Sequence, residues 1–185
     1  MRTMGFSIGR FQPVHNGHVK MLNELGKFDI GVIMIGSDNG EATIKNPFTG
    51  PLRSILIHQS LSKPLYDRVL FRYLQDYAED LTWKKQVVEI INQIKTKYHI
   101  DDVTLVGYKK DDSSYYLDMF PNYHYEQVEP GDQIVNATDI RNAWYNGELD
   151  TVRDVMPAHV YEFLKNEEQF AYRLKMQSKI RISEY

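Results

Sequence analysis

Apolar residues fall in this chain as short continuous runs that alternate with segments of helical spacing. Met4 to Ile8 is a short apolar run, and Gly9 to Gly17 is rich in turn formers. Val19, Leu22 and Leu25 then share one helical face. The segment from Asp29 to Gly36 is apolar and rich in β-branched residues without alternation, as expected of a strand covered on both sides in a parallel sheet. Thr49 can cap a helix with Pro51 in its first turn and Leu52, Ile55, Leu56 and Leu61 on its face. Arg68 to Leu74 reads as a third strand.

From Thr82 onward, Val87, Ile90, Ile91, Ile94 and Tyr98 keep helical spacing, and Val103 to Gly107 follows as a fourth strand. A short helix begins near Ser114 and ends before Pro121. Tyr123 to Val128 is a fifth strand, Asp139 to Tyr145 a helix stopped by Gly147, and Val160 to Leu164 part of a further helix. This alternation predicts an α/β, Rossmann-like, doubly wound parallel sheet of five strands with a helical C-terminal region. The expected division is one domain over residues 1–165, with 166–185 as a helical tail extension of it. Ligands of such sheets bind at the carboxyl ends of the strands.

Composition narrows the chemistry. At 185 residues, with 42% hydrophobic and 25% charged positions, the chain has the makeup of one folded domain. It has no cysteine, which excludes disulfides, a thiolate nucleophile and a Cys-bearing zinc site. The apolar run from Ile30 to Gly36 falls far short of the roughly 18 residues of a membrane span. With no basic and apolar leader, a cytoplasmic location is expected. A net charge of −3 gives no general field for a nucleic acid, so small phosphorylated ligands fit better than a polymer.

The loop after the first strand reads Gly9-Arg-Phe-Gln-Pro-Val-His-Asn-Gly-His18, with His-x-Gly-His where the first helix should begin. Helix N-termini favour anions through unpaired N–H groups and the macrodipole. His15 and His18, three residues apart, would face one way there, and a triphosphate is a natural guest. A metal pair is less fitting, since this motif supplies no nearby carboxylate. Asn136-Ala-Thr-Asp-Ile-Arg141 opens another helix, with Thr138 and Arg141 beside a second N-terminus suited to anions.

Together these two elements resemble the nucleotidyltransferases that carry His-x-Gly-His and a distal Ser/Thr-x-Thr-x-x-Arg signature. Asn136 stands where Ser or Thr is frequent. Within that superfamily, the Gly9–His18 loop, Ile35-Gly-Ser37, Asn46-Pro-Phe-Thr49 with Arg53, and Trp83 resemble nicotinamide-mononucleotide adenylyltransferases of the archaeal type. The similarity spans about Phe6 to Arg141. Val106 to Pro121 is closer to the bacterial and phage forms often fused to a Nudix hydrolase, but the Nudix signature is missing from this chain.

The resemblance implies adenylyl transfer from ATP to nicotinamide mononucleotide, giving NAD and pyrophosphate, with magnesium carried by the triphosphate. It implies that His15, His18, Arg10, Arg53 and Arg141 act on the phosphates. Gly9, Phe11, Gly107, Lys110, Asn136, Ala137, Thr138 and Ile140 would complete the ATP side. Ile35, Gly36, Ser37, Asp76, Asp80 and Trp83 would receive the mononucleotide, the indole against the pyridinium ring. A homo-oligomer is compatible with the resemblance; nucleic acid and membrane partners are not expected.

Other readings are a sister enzyme with another acceptor, such as nicotinate mononucleotide or phosphopantetheine, a nucleotide sensor without turnover, and a DNA-binding regulator. Lys175-Met-Gln-Ser-Lys179 resembles the signature loop of class I aminoacyl-tRNA synthetases, but it sits in a polar tail of a chain too short for the usual synthetase.

Overall fold

The computed structural model describes residues 1–109, 112–129 and 136–183. Five parallel strands form one sheet: β1 (Thr3–Gly9), β2 (Ile30–Ile35), β3 (Val69–Tyr73), β4 (Asp102–Gly107) and β5 (His124–Gln127), in the order β3-β2-β1-β4-β5. The chain order reverses beside β1, which pairs with β2 on one side and β4 on the other. That switch point opens a crevice above the carboxyl ends of the central strands.

The helices are α1 (Asn16–Asn23), α2 (Gly50–His58), α3 (Lys63–Tyr66), α4 (Asp80–Tyr98), α5 (Ala137–Asn146), α6 (Ala158–Lys165) and α7 (Glu167–Ser183). The short helix expected near Ser114 is a 3₁₀ segment over Asp112–Met119. Two elements had no apolar stripe to announce them, α3 and a 3₁₀ stretch at Leu149–Val155. Thr49 caps α2 as expected, its Oγ1 accepting from the Leu52 N–H at 3.4 Å. Gly147 ends α5 in the left-handed conformation, at φ 79°. Among the described residues, no helix is long and apolar enough to cross a membrane.

Strand side chains alternate between two cores, because successive residues of a strand point to opposite faces. Ile30, Val32 and Met34 join Met4, Phe6 and Ile8 against α4 and the 3₁₀ segment, with Val87, Ile91 and Phe120. Ile33 and Ile35 face the other layer, built from Leu22 of α1, Ile57 of α2, Trp144 of α5 and Val160 of α6. On that second face β1 and β2 carry glycines, and a Cβ on Gly5 would lie 2.3 Å from the Phe28 ring. Small residues there let the helical layer approach the sheet.

The polar tail of the sequence is a helix docked on this second layer. Met176 is 1% exposed within the core. The Trp144 indole, also buried, donates to the Leu164 carbonyl at 3.0 Å. Met176→Ala is therefore expected to cost about 2–5 kcal/mol, the usual loss for a buried methionine. Urea unfolding should show that loss in a single transition; an unchanged midpoint would mean α7 adds nothing to the fold.

Candidate active site

The loop that leaves β1 is shaped by its glycines and one folded-back ring. Phe11 takes φ 51° and packs over Gly9, where a Cβ would sit 2.7 Å from its ring. His15 then caps α1, its Nδ1 accepting from the His18 N–H at 3.3 Å. With Nδ1 as acceptor, the neutral ring carries its proton on Nε2. The His15 and His18 rings stack at 3.6 Å, and Phe11 meets His18 edge-on at 4.9 Å. A Cβ on Gly17 would come within 3.2 Å of the His15 ring, so glycine leaves room for that stack.

Above the switch point lies a cleft of about 570 Å³. Gly9, Arg10, Phe11, His15 and His18 line it from the β1–α1 loop, and Asn136, Ala137, Thr138 and Arg141 from the start of α5. Asn136 caps α5 by accepting from the Thr138 N–H at 2.9 Å. Two helix N-termini thus open on one cavity, each with cationic side chains, an arrangement that favours phosphate. Arg141 is buried, with one guanidinium N–H to the Gln12 carbonyl at 2.7 Å and another to Thr138 Oγ1 at 3.1 Å. Burial lowers its pKa, and the neighbouring charge of Arg10 adds to that effect. An anion between them would relieve this repulsion.

The other wall combines carboxylates with aromatic rings. Gly36, Ser37, Asp76, Asp80 and Trp83 all line it. Ser37 Oγ donates to Asp76 at 3.1 Å, and the Tyr115 hydroxyl donates to Asp80 at 3.0 Å. Trp83 is half-buried and rests edge-on against Tyr116 at 6.0 Å. The Tyr116 hydroxyl donates to the Ile8 carbonyl at 3.1 Å, and burial pushes its pKa up to about 12. A Cβ on Gly36 would make only ordinary contacts, 3.8 Å from the Gly9 carbonyl, so the missing side chain keeps the cleft floor open.

Four of the expected residues stand elsewhere. Arg53 is 1% exposed and does not line the cleft. Its Nη1 donates to the carbonyls of Arg10 and Gly36 at 2.6 and 2.7 Å, Nη2 to that of Ser37 at 3.3 Å, and Nε to that of Thr49 at 3.3 Å. Asp38 lies 3.6 Å from it. Burial brings its pKa down to about 10, against the pull of Asp38. The phosphate clamp expected of Arg53 is replaced by a brace beneath the cleft, because strand-end carbonyls take up its donors first. Ile35 and Ile140 are fully buried in the core, and Gly107 packs under Leu117, so Tyr108 lines the cleft in its place. Lys110 lies outside the described residues.

Sequence reading also passed over lining residues: Lys20, Tyr77, Tyr108, Tyr116 and Glu129. Tyr108 and Tyr116 carried a signal, their place in the Val106–Pro121 stretch. Arg53→Lys keeps the charge but gives up the planar fork, and should cost about 1–3 kcal/mol for each carbonyl left unpaired. Chemical denaturation tests this. A normal midpoint with lost ATP binding would instead put the guanidinium on phosphate.

Comparison with known proteins bears on this geometry. The cytidylyltransferase-like family profile matches residues 6–142. The "nicotinamide/nicotinic acid mononucleotide adenylyltransferase" of Acinetobacter baylyi is 32% identical over 176 residues, covering 94% of this chain and 91% of that protein. The "nicotinamide-nucleotide adenylyltransferase" of Thermococcus onnurineus is 32% identical over 181 residues, covering 95% of this chain and 89% of its own. Among solved structures, a bifunctional NMN adenylyltransferase/ADP ribose pyrophosphatase from Francisella tularensis, complexed with AMP and a manganese ion, superposes with a TM-score of 0.78 at 25% identity. The match covers 98% of this chain and 54% of that one, so this chain spans about half its length. On this shared length, and with two helix N-termini meeting over one cleft, the chain belongs to the cytidylyltransferase-like family, among its nicotinamide-nucleotide adenylyltransferases.

Proposed function

We propose that this protein transfers the adenylyl group of ATP to nicotinamide mononucleotide, releasing pyrophosphate and forming NAD. The observation that carries the reading is the division of one cleft into a cationic side, with Arg10, His15, His18 and Arg141, and a side with Trp83, Asp76 and Asp80. The first suits a triphosphate, the second a cationic aromatic ring.

In the reaction an oxygen of the mononucleotide phosphate bonds to the ATP α-phosphorus as the bond to the β-phosphate oxygen breaks. The electron pair leaves with pyrophosphate. The attacking phosphate is already an anion, so no general base and no covalent enzyme intermediate are required; alignment and charge stabilisation suffice. His18 and His15 donate to the phosphate oxygens, Arg141 holds the leaving end, and Arg10 holds phosphate near the transfer point. Arg53 acts through the backbone, fixing the carbonyls of Arg10 and Gly36.

Among the described residues no cluster of His, Asp and Glu could hold a metal by itself. This donor set fits magnesium borne on the triphosphate, with water completing its coordination. When bound, the ion would neutralise charge on the triphosphate. The manganese in the Francisella structure supports a divalent cation. The absence of cysteine suits a cytoplasmic setting.

The deciding assay follows NAD and pyrophosphate from ATP, magnesium and nicotinamide mononucleotide, with nicotinate mononucleotide and phosphopantetheine in parallel. Turnover on nicotinamide mononucleotide is expected. Activity on another acceptor alone would keep the phosphate chemistry and overturn the role of Trp83. ATP binding without any turnover would make the protein a sensor.

Two substitutions separate the halves of the cleft. His18→Ala should lower kcat by about 10²- to 10³-fold, the usual loss of one preorganised donor to a transition state; steady-state kinetics on the folded variant would show it. Trp83→Ala should raise KM for the mononucleotide and leave ATP affinity nearly unchanged. Equal losses for both ligands would point to damaged packing instead.

A further inference from the structure

The C-terminal helix has no part in the chemistry just described, yet its polar side chains grip the elements that carry it. The Tyr172 hydroxyl of α7 donates to the Pro47 carbonyl at 2.7 Å. The next residue, Phe48, is locked to the β1–α1 loop by a reciprocal amide pair. Its carbonyl accepts from Gln12 Nε2 at 2.8 Å, and its N–H donates to Gln12 Oε1 at 3.0 Å. Gln12 is 2% exposed, so neither bond competes with bulk water. Its own backbone carbonyl in turn accepts from Arg141 Nη1 at 2.7 Å. An unbroken line of short polar contacts therefore runs from Tyr172 to a guanidinium on the cleft wall.

A second line reaches the same place through α5. Arg173 donates to the Trp144 carbonyl at 3.3 Å, and Gln177 donates to the Tyr145 carbonyl. Both are last-turn carbonyls of α5, and that of Trp144 also accepts from the Gly147 N–H at 3.2 Å. The Tyr145 hydroxyl, one turn beyond Arg141, also holds the loop, donating to the Ile44 carbonyl at 2.9 Å. The helix that presents Arg141 and the loop that braces Gln12 are thus both fixed by α7.

We infer that Tyr172 is a positioning residue for the ATP side of the site, acting through Pro47, Phe48 and Gln12 on Arg141. Burial alone would make α7 a structural cover; what sets it apart is where its donors end. Tyr172, Arg173 and Gln177 meet backbone carbonyls of the two segments that frame the triphosphate side, and among the described residues no hydrogen bond from α7 is seen to the segment from Asp76 to Trp83. Its influence falls on ATP and spares the acceptor. This inference rests on the adenylyltransferase reading only for its kinetic form, since ATP affinity can be measured without turnover.

The test is Tyr172→Phe, which removes one hydroxyl and keeps the ring, with Leu174→Ala as a control on an exposed position of the same helix. Steady-state KM for ATP and for nicotinamide mononucleotide is measured together with ATP affinity by calorimetry. ATP KM and Kd are expected to rise by about three- to tenfold, the equivalent of one net hydrogen bond, with the acceptor KM unchanged and the control like wild type. Equal rises for both substrates, or a lowered melting temperature with unchanged ATP affinity, would reduce α7 to a cover and overturn the inference. In a cycle with Gln12→Leu, the double variant should lose less than the product of the two single losses, since both break the same line. A full product would cut Tyr172 out of it. Should wild type bind ATP and make no NAD, the functional reading fails, and calorimetry on the variants still decides the role of Tyr172.

Discussion

The carboxyl ends of β1 and β2 finish in carbonyl oxygens that face the base of the cleft, and Arg53 supplies the N–H groups they need. One planar guanidinium reaches the carbonyls of Arg10, Gly36 and Ser37 while its Nε turns back to Thr49 in its own helix cap. Lysine has neither the reach nor the fork for this. The charge sits out of water, lowered in pKa by burial and held by Asp38, which also accepts from the first N–H of α2. The result is a fixed floor: the strand ends, the start of α2 and the loop bearing Arg10 are set relative to one another before any ligand arrives. Preorganisation of this kind lets hydrogen-bond donors stabilise a transition state without moving.

Cations are gathered over this floor at some cost. Arg10 opposes the protonated forms of both Arg53 and Arg141, so the three charges repel when no anion lies between them. That repulsion is tolerable because both buried guanidinium groups are tied down, Arg53 by carbonyl groups with Asp38 beside it and Arg141 by the Gln12 carbonyl and the Thr138 hydroxyl. The carboxylate offsets the charge beneath the floor, whereas the partners of Arg141 bring no negative charge, so its field stays directed at the cleft.

The order of strands and helices was legible in the sequence because both periods were clean. The run from Ile30 to Ile35 and the spacing of Val87, Ile91 and Ile94 each allow one element only. The cationic side was legible for a related reason, as its residues sit within two contiguous motifs at helix starts. Arg53 shows where such reading stops. Residue type marks it as a donor, but whether it meets phosphate or carbonyl depends on which oxygens the folded strands leave exposed. Ile35 and Ile140 adjoin residues that face the cleft, and strand alternation and helical rotation turn their side chains into the core. The tail was expected as a helical extension, but its docking was not legible: Phe170 and Leu174 are exposed, so no apolar stripe forms, and α7 is held through Tyr172, Arg173 and Gln177 as well as Met176.

The two sides of the cleft also have separate origins in the chain. On the proposed reading the phosphate side comes from the β1–α1 loop and α5, braced by Arg53, Gln12 and the C-terminal helix. The acceptor side would then come from Gly36 and Ser37 after β2, the segment between β3 and α4, and the 3₁₀ segment after β4, the last two joined by the Tyr115 to Asp80 hydrogen bond. Trp83 rests on Tyr116 and Phe120, within the core on the opposite face of the sheet from Trp144 and Met176. Trp83 and its packing therefore belong to a core apart from the residues packed around Trp144, while the two sides of the cleft meet at Arg53, which holds the carbonyls of Arg10, Gly36 and Ser37 together. Substitutions at well-separated sites without common partners are close to additive, whereas those that reach Arg53 touch both sides at once.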